Sequence, residues 1–192
     1  VGINGFGRIG RMILRSIIEQ NRKDLEVVAI NNRSDAETSS FLLINDTVHG
    51  KLKSKISHSE KAINIDGKKI NMIQENEISK IDWKKYKVNV VLECTGKFNT
   101  KEKSSQHINS GANKVIVSAP CKGAKNIIFG VNEKNLKSSD QVISAASCTT
   151  NCLAPVAQVL NEDFGIERGF MTTIHSYTTD QRLLDNSHKD LR

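Results

Sequence analysis

Two stretches of this 192-residue chain carry residue types at spacings that could do chemistry. The first is Ser147-Cys148-Thr149-Thr150-Asn151-Cys152, between a short β-like run (Val142-Ile143-Ser144) and an apolar helix-like run from Leu153 to Leu160. Cys148 then stands at or near a strand-to-helix junction, where unpaired N–H groups and partial positive charge help a thiol to ionise. A second reading has the hydroxyls cap the helix and Cys148 serve as a small buried hydrophobe. These residues alone leave both readings open. The second stretch is Gly5-Phe6-Gly7-Arg8-Ile9-Gly10, directly after the apolar Val1-Gly2-Ile3. A G-x-G-x-x-G run gains meaning between a strand and a helix, with a second strand completing a unit of about thirty residues. There, Gly5 permits a tight turn, Gly7 lets backbone N–H groups approach a pyrophosphate, and Gly10 lets helix and strand pack closely. The alternative is an ordinary βαβ unit.

The elements that must position these residues follow from periodicity. Ile9, Met12, Ile13, Ile17 and Ile18 give an apolar face to a helix from about Arg8 to Glu19, and Leu25 to Ile30 reads as the second strand. The fingerprint asks for an acidic residue about twenty positions on, to bind a ribose 2′-hydroxyl. Asn32 stands there, followed by Arg33. Asparagine does not repel a 2′-phosphate and arginine can pair with one, so the pattern leans towards NADP tolerance. Alternatively, Arg33 is a solvated loop residue and Asp35 contacts the ribose. A helix over Ala36 to Ile44 and an antiparallel excursion over 51–73, turning at Asp66-Gly67, come next.

Val88 to Cys94 reads as a buried parallel strand, ending in Thr95-Gly96-Lys97-Phe98 where such sheets bind ligands. A helix from Lys101 to Ser110 and strands over Lys114 to Ser118, Ile127 to Val131 and Gln141 to Ser144 complete the series. This alternation predicts an α/β fold, a Rossmann-type doubly wound sheet. From the Cys148 junction a helix runs to about Glu162, starting late or bending at Pro155 and ending at Gly165. Phe170 to His175 reads as a further strand, and the tail from Arg182 as a long loop.

Composition narrows the function. No apolar run approaches a membrane span. The net charge of +7 is spread without a basic block and aromatic residues are 5 %, which disfavours a sequence-reading nucleic-acid module and is compatible with small anionic substrates. Cys94, Cys121, Cys148 and Cys152 form no paired CxxC motif and have no suitably spaced histidine. They point to thiols in a reducing cytoplasm rather than a zinc site or a disulfide framework. His49 and His58 read as surface or hydrogen-bonded residues. The chain opens inside a strand and stops in a polar stretch, so a fragment is expected.

Three stretches taken together, INGFGRIGR, SAASCTTNCLAPVAQVLNEDFGI and TTIHSYTTDQRLLD, closely resemble phosphorylating glyceraldehyde-3-phosphate dehydrogenase; NDTVHGK, ECTGKF and VIVSAP add weaker matches. The resemblance spans essentially the whole chain. It implies a dinucleotide-binding domain over 1–147 that lacks its closing C-terminal helix. It also implies a truncated start of an α+β catalytic domain over 148–192. Cys148 would be the nucleophile, with His175 beside it to help form the thiolate and then act as acid/base. Attack on the aldehyde would give a thiohemiacetal, hydride would pass to the nicotinamide, and phosphate would release the thioester as 1,3-bisphosphoglycerate. Cys152, one helical turn on, would be structural.

Ser147 and Thr149 match positions around the inorganic-phosphate site, and Thr178 matches the position that holds the substrate's own phosphate. Arg8, Ile9, Thr95, Gly96 and Ser118 match cofactor contacts, alongside Gly5, Gly7, Gly10, Asn32 and Arg33. NAD-specific members usually carry Asp at the position of Asn32 and often Pro at that of Ser187, in a loop that reaches a neighbouring subunit's cofactor site. Both departures favour NADP or dual use over strict NAD use. Asn76 replaces an arginine that many members place near the adenine. The resemblance further implies a cytoplasmic homotetramer serving glycolysis or gluconeogenesis, with no metal. The chain stops before an arginine of the phosphate sites and an asparagine that orients the nicotinamide, so it is expected to be inactive alone. Erythrose-4-phosphate dehydrogenase shares the cysteine motif but usually departs from the HSYT pattern. A reading from another class is a basic protein using the dinucleotide groove for RNA.

Overall fold

A computed structural model of the chain describes residues 1–177. The chain divides into two compact units, Val1–Pro155 and Val156–Arg192. The first opens with β1 (Gly2–Asn4), buried throughout, and turns at Gly5 into α1 (Arg8–Glu19), whose bounds match the apolar periodicity. β2 (Ala29–Asn31) is shorter than the predicted Leu25 to Ile30. Strand-like bonding nevertheless reaches back to Val28, whose N–H donates to the Val1 carbonyl and whose carbonyl accepts from Asn71. α2 (Ala36–Ile44) is capped by Asp35, whose carboxylate accepts the Thr38 N–H at 2.7 Å.

A two-residue hairpin of β3 (Asn45–Asp46) and β4 (Gly50–Lys51) precedes β5 (Ile56–Ser59), β6 (Ala62–Ile65) and β7 (Lys68–Ile73). Asp66 and Gly67 join β6 to β7 with φ of 49° and 85°, the two positive values that a primed hairpin turn demands. Next come β8 (Val90–Glu93), α3 (Lys101–Ser104), α4 (Gln106–Asn109), β9 (Lys114–Val117), β10 (Lys125–Asn126), β11 (Val142–Ser144) and α5 (Cys148–Phe164).

Among the described residues, nine strands form one sheet in the order β10-β11-β9-β8-β1-β2-β7-β6-β5. From β10 to β7 all neighbours are parallel, and only β6 and β5 are antiparallel. The excursion over 51–73 is thus an extension of the main sheet, because β7 pairs in parallel with β2. The chain winds outward from β1 in one direction through β2 and returns to its other side at β8. That reversal is a topological switch point, which opens a crevice at the carboxyl ends of β1 and β8. Core residues lie along the sheet, with Ile3, Phe6, Leu14 and Ile30 in one cluster, Trp83, Val88 and Val91 in a second, and Val115, Val117 and Val142 in a third.

Three expectations need correction. The predicted strand from Ile127 to Val131 is a turn: the Asn132 side chain accepts the Ile128 N–H at 2.7 Å, and the Ile128 carbonyl accepts from Val131 and Asn132. The strand that pairs with β11 lies earlier, at Lys125–Asn126. The predicted helix from Lys101 to Ser110 is interrupted at Ser105, whose hydroxyl donates back to the Lys101 carbonyl at 2.7 Å. In the second unit, 170–175 is not a strand, because no described strand pairs with it and Phe170 and Ile174 stand fully exposed. An isolated strand leaves its N–H and C=O groups without ladder partners. α5 resolves the Pro155 alternatives: it starts at Cys148 and includes the proline. No helix among the described residues is long and apolar enough to cross a membrane.

Candidate functional site

At the switch point a groove of about 230 Å³ is lined by the ends of several strands, including Asn4, Gly5, Gly7, Asn31, Asn32, Arg33, Asn76, Thr95 and Lys97. Its shape follows from two glycines that tolerate no side chain. Gly5 has a φ of 92°, and a Cβ on it would stand 2.8 Å from the Thr95 backbone nitrogen. A Cβ on Gly10 would stand 2.2 Å from the Gly5 carbonyl oxygen, so α1 packs directly on the turn that begins it. Gly7 differs, since a Cβ there would meet nothing within 4 Å.

Gly7 is also the N-cap of α1, contributes no side-chain acceptor, and is followed by a first turn without acidic residues. First-turn N–H groups and the positive end of the helix dipole are therefore left for an anion. This donor set fits the pyrophosphate of a dinucleotide.

Asn32 sits at the end of β2. Its Oδ1 accepts the Phe6 N–H at 3.4 Å and its Nδ2 donates to Ser39 Oγ at 3.3 Å. Arg33 is exposed beside it. Asp35 is committed to capping α2, and donation from Thr38 holds its carboxyl below the usual range. Thr95 anchors the opposite wall, where its Oγ1 accepts the Lys97 N–H at 3.1 Å and Gly96 turns with a φ of 71°. Arg8, Ile9, Gly10, Gly96 and Ser118 are not part of the groove lining. Arg8 pairs with Asp46 at 2.7 Å, where donation from His49 above all holds the Asp46 carboxyl at about 2. Ile9 is half exposed, and the Ser118 N–H donates to the Glu93 carbonyl.

Missing from the predicted groove were Asn4, Asn31 and Glu75. Polar residues closing otherwise apolar strands were the available signal for the two asparagines.

The second centre lies just after β11. Ala146, with a φ of 58°, reverses the chain into α5. Ser147 caps the helix, its Oγ accepting the Thr150 N–H at 3.0 Å and lying 2.8 Å from Thr150 Oγ1. Asn151 adds bonds from its Nδ2 to the carbonyls of Ala145 and Ser147. Cys148 is the first helical residue and is exposed, so the buried-hydrophobe reading does not hold, while the capping reading of Ser147 does. Thr149 follows, half-buried, and Cys152 one turn on is exposed. His175 belongs to the second unit, is exposed, and has its Nδ1 at 2.5 Å from the Ser176 carbonyl oxygen. Thr178 and Ser187 lie outside the described residues.

Burial sorts the thiols. It pushes the Cys94 thiol, at the edge of the groove, up to about 11, and raises that of the buried Cys121 as well. Alkylation with iodoacetamide at mildly alkaline pH is expected to modify Cys148 first and to spare Cys94 and Cys121 until the chain unfolds. Peptide mass spectrometry checks this, and early modification of Cys94 would contradict it.

Comparison with known proteins relates both stretches to one family. The family described as "Glyceraldehyde 3-phosphate dehydrogenase, NAD binding domain" matches residues 1–101, and its C-terminal domain family matches residues 147–192. The chain belongs to the glyceraldehyde-3-phosphate dehydrogenase family. Proteins named glyceraldehyde-3-phosphate dehydrogenase from Thermotoga maritima, Cereibacter sphaeroides and Streptomyces coelicolor are 49 %, 50 % and 50 % identical to it over its whole length. The chain spans 58 %, 57 % and 57 % of those relatives. The family's first domain binds NAD, in agreement with the donor set at Gly7 and the groove at the switch point. A Rossmann-type α/β fold was the expectation, and both the family and the sheet order bear it out.

Proposed function

We propose that the whole protein containing this chain oxidises glyceraldehyde 3-phosphate, with inorganic phosphate and NAD or NADP, to 1,3-bisphosphoglycerate. The observation that carries this reading is an exposed Cys148 at the N-terminus of a 17-residue helix, in a chain of this dehydrogenase family. Residues 1–147 serve as the dinucleotide-binding domain and 148–192 as the opening of the catalytic domain. Cys148 Sγ attacks the aldehyde carbon to form a thiohemiacetal, and His175 takes the hydroxyl proton as the carbonyl re-forms. A nicotinamide bound in the groove would supply the hydride acceptor. Phosphate oxygen then attacks the thioester carbon, and Cys148 leaves as thiolate, which the positive helix end favours.

Ser147, Thr149 and Thr178 hold the phosphate groups. Ser147 can cap and bind together: its oxygen accepts the Thr150 N–H, and when Thr150 Oγ1 donates across their 2.8 Å contact the Ser147 proton is left for an anion. Gly5, Gly7, Asn32, Arg33 and Thr95 line the cofactor groove, and Arg8, Ile9, Gly10, Gly96, Ser118 and Ser187 are assigned to the cofactor site from their match to the family's contact positions. The protein works as a cytoplasmic homotetramer. Oxidation rates with glyceraldehyde 3-phosphate and erythrose 4-phosphate, with and without phosphate, test the substrate. Preference for the four-carbon aldehyde would sink the assignment.

Dual cofactor use is the finer part of the proposal. It is supported by the neutral Asn32 beside Arg33 and by the diversion of Asp35 to helix capping. Asn32→Asp is expected to lower kcat/KM for NADP about tenfold more than for NAD, by placing a carboxylate against the 2′-phosphate. Equal losses with both cofactors in steady-state kinetics would contradict it.

A further inference from the structure

Beneath the groove lies a polar network that neither the cysteine chemistry nor the glycine turn uses. Glu93, the last residue of β8, is 1 % exposed. Its carboxylate accepts four hydrogen bonds. Oε1 takes the Thr95 N–H at 2.8 Å and the Thr95 hydroxyl at 2.5 Å, and Oε2 takes Asn4 Nδ2 at 2.6 Å and His107 Nε2 at 2.9 Å. The ring state of His107 follows from its other partner. Trp83 Nε1–H can only donate, and it meets His107 Nδ1 at 3.0 Å, so Nδ1 is the acceptor and Nε2 carries the proton. His107 is therefore a neutral donor to Glu93, and no other ion-pair nitrogen reaches this carboxylate among the described residues. Burial opposes its charge, but the donors from His107, Thr95 and Asn4 outweigh burial and hold its carboxyl below the ordinary value. A buried carboxylate with four donors and no cation is held ionised by hydrogen bonds alone.

The network continues across the sheet. Asn4 Oδ1 accepts from Asn31 Nδ2 at 2.7 Å. Asn31 also bonds the backbone beyond β7, donating to the Glu75 carbonyl and accepting the Glu75 N–H, both at 2.9 Å. Four neighbouring parallel strands (β8, β1, β2 and β7) are thus fastened at their carboxyl ends. Asn4, Asn31, Glu75 and Thr95 all line the groove, whereas His107 and Trp83 do not.

We propose that Glu93 is a positioning residue of the dinucleotide groove, setting the Thr95–Lys97 turn directly and the ends of β1, β2 and β7 through Asn4 and Asn31. The inference rests on the reading of this groove as the dinucleotide site. Replacing one carboxylate oxygen by an amide nitrogen reverses half of the local pattern: whichever way the glutamine is turned, its N–H groups face donors, either Asn4 and His107 or the Thr95 N–H. The groove then loses its preformed shape, and binding must supply the ordering.

The test uses the complete protein and NAD, with affinity measured by calorimetry in the absence of aldehyde. Glu93→Gln is expected to raise the dissociation constant about tenfold or more, with the kinetic loss falling on the KM for NAD rather than on kcat. Amide exchange over 94–98 is expected to accelerate in the ligand-free variant. Wild-type affinity in folded Glu93→Gln would overturn the proposal while leaving the dinucleotide reading intact. Failure of the wild type itself to bind NAD would overturn both. Should Glu93→Gln not fold, His107 supplies the reading. His107→Gln retains a donor for Glu93 and an acceptor for Trp83 and is expected to bind as the wild type does, whereas His107→Leu is expected to weaken NAD binding. Equal affinities in these two variants would reject the role assigned to Glu93.

Discussion

Replacing Cys148 by serine in the complete protein is expected to cut kcat for aldehyde oxidation by roughly 10³-fold or more, without loss of folded protein. The two halves of that expectation have separate causes. A thiol supplies an ionisable and strongly nucleophilic sulfur at neutral pH, whereas a serine hydroxyl there remains protonated and reacts slowly with the aldehyde. The structural half comes from exposure. Cys148 is an exposed first helical residue, and the cap that starts the helix is Ser147, so the substitution creates no cavity and removes no N-cap. Steady-state kinetics with thermal unfolding of the same preparation checks both halves. Activity retained above about a tenth of the wild-type value would contradict the role given to Cys148.

The glycine turn yields the second large effect, and it tests the different roles that the fingerprint gives two of its glycines. Gly10→Ala would normally favour a helix by about 1 kcal/mol. Here the added Cβ meets the Gly5 carbonyl oxygen at 2.2 Å, a backbone atom that cannot swing aside. The sign reverses, and a loss of about 3 kcal/mol is expected, because α1 must move off β1 or the Gly5 turn must shift. Gly7→Ala meets open space, and Gly7 has a φ of −73° that alanine adopts readily. Its expected stability change is within about 0.5 kcal/mol, while its dinucleotide affinity falls because the methyl occupies the approach to the helix N-terminus. Denaturant unfolding together with calorimetric NAD titration distinguishes the two variants. Equal stability losses would show that the close approach at Gly10 does not govern the turn.

These glycines also show how far the sequence can be read. Strand, turn and α1 were legible because the apolar spacing and the fingerprint agree locally, and Asp66-Gly67 announced its hairpin through turn chemistry. The join of that hairpin to the main sheet was not legible, since the pairing of β7 with β2 connects residues more than forty positions apart. The Ile127 to Val131 run failed for a local reason of another kind: the Asn132 side chain captured a backbone N–H that a ladder would have used.

Within the candidate site, Cys148 and Gly7 could be named from type and spacing. Asn32 stood out as a departure from an expected carboxylate. Glu93 carried one signal, a lone charge closing an apolar strand, but its partners Asn4, His107 and Thr95 are set by the fold. A buried charge can tell a reader that partners must exist, and only the assembled strands tell which they are.

The most direct test of the central claim is to incubate the complete protein with glyceraldehyde 3-phosphate and NAD without inorganic phosphate, quench in acid, and map the acylated peptide by mass spectrometry. A phosphoglyceroyl group on Cys148, discharged when phosphate is added before the quench, is the predicted result. An acyl group on Cys152 or elsewhere, or turnover with no covalent adduct at any cysteine, would contradict the account.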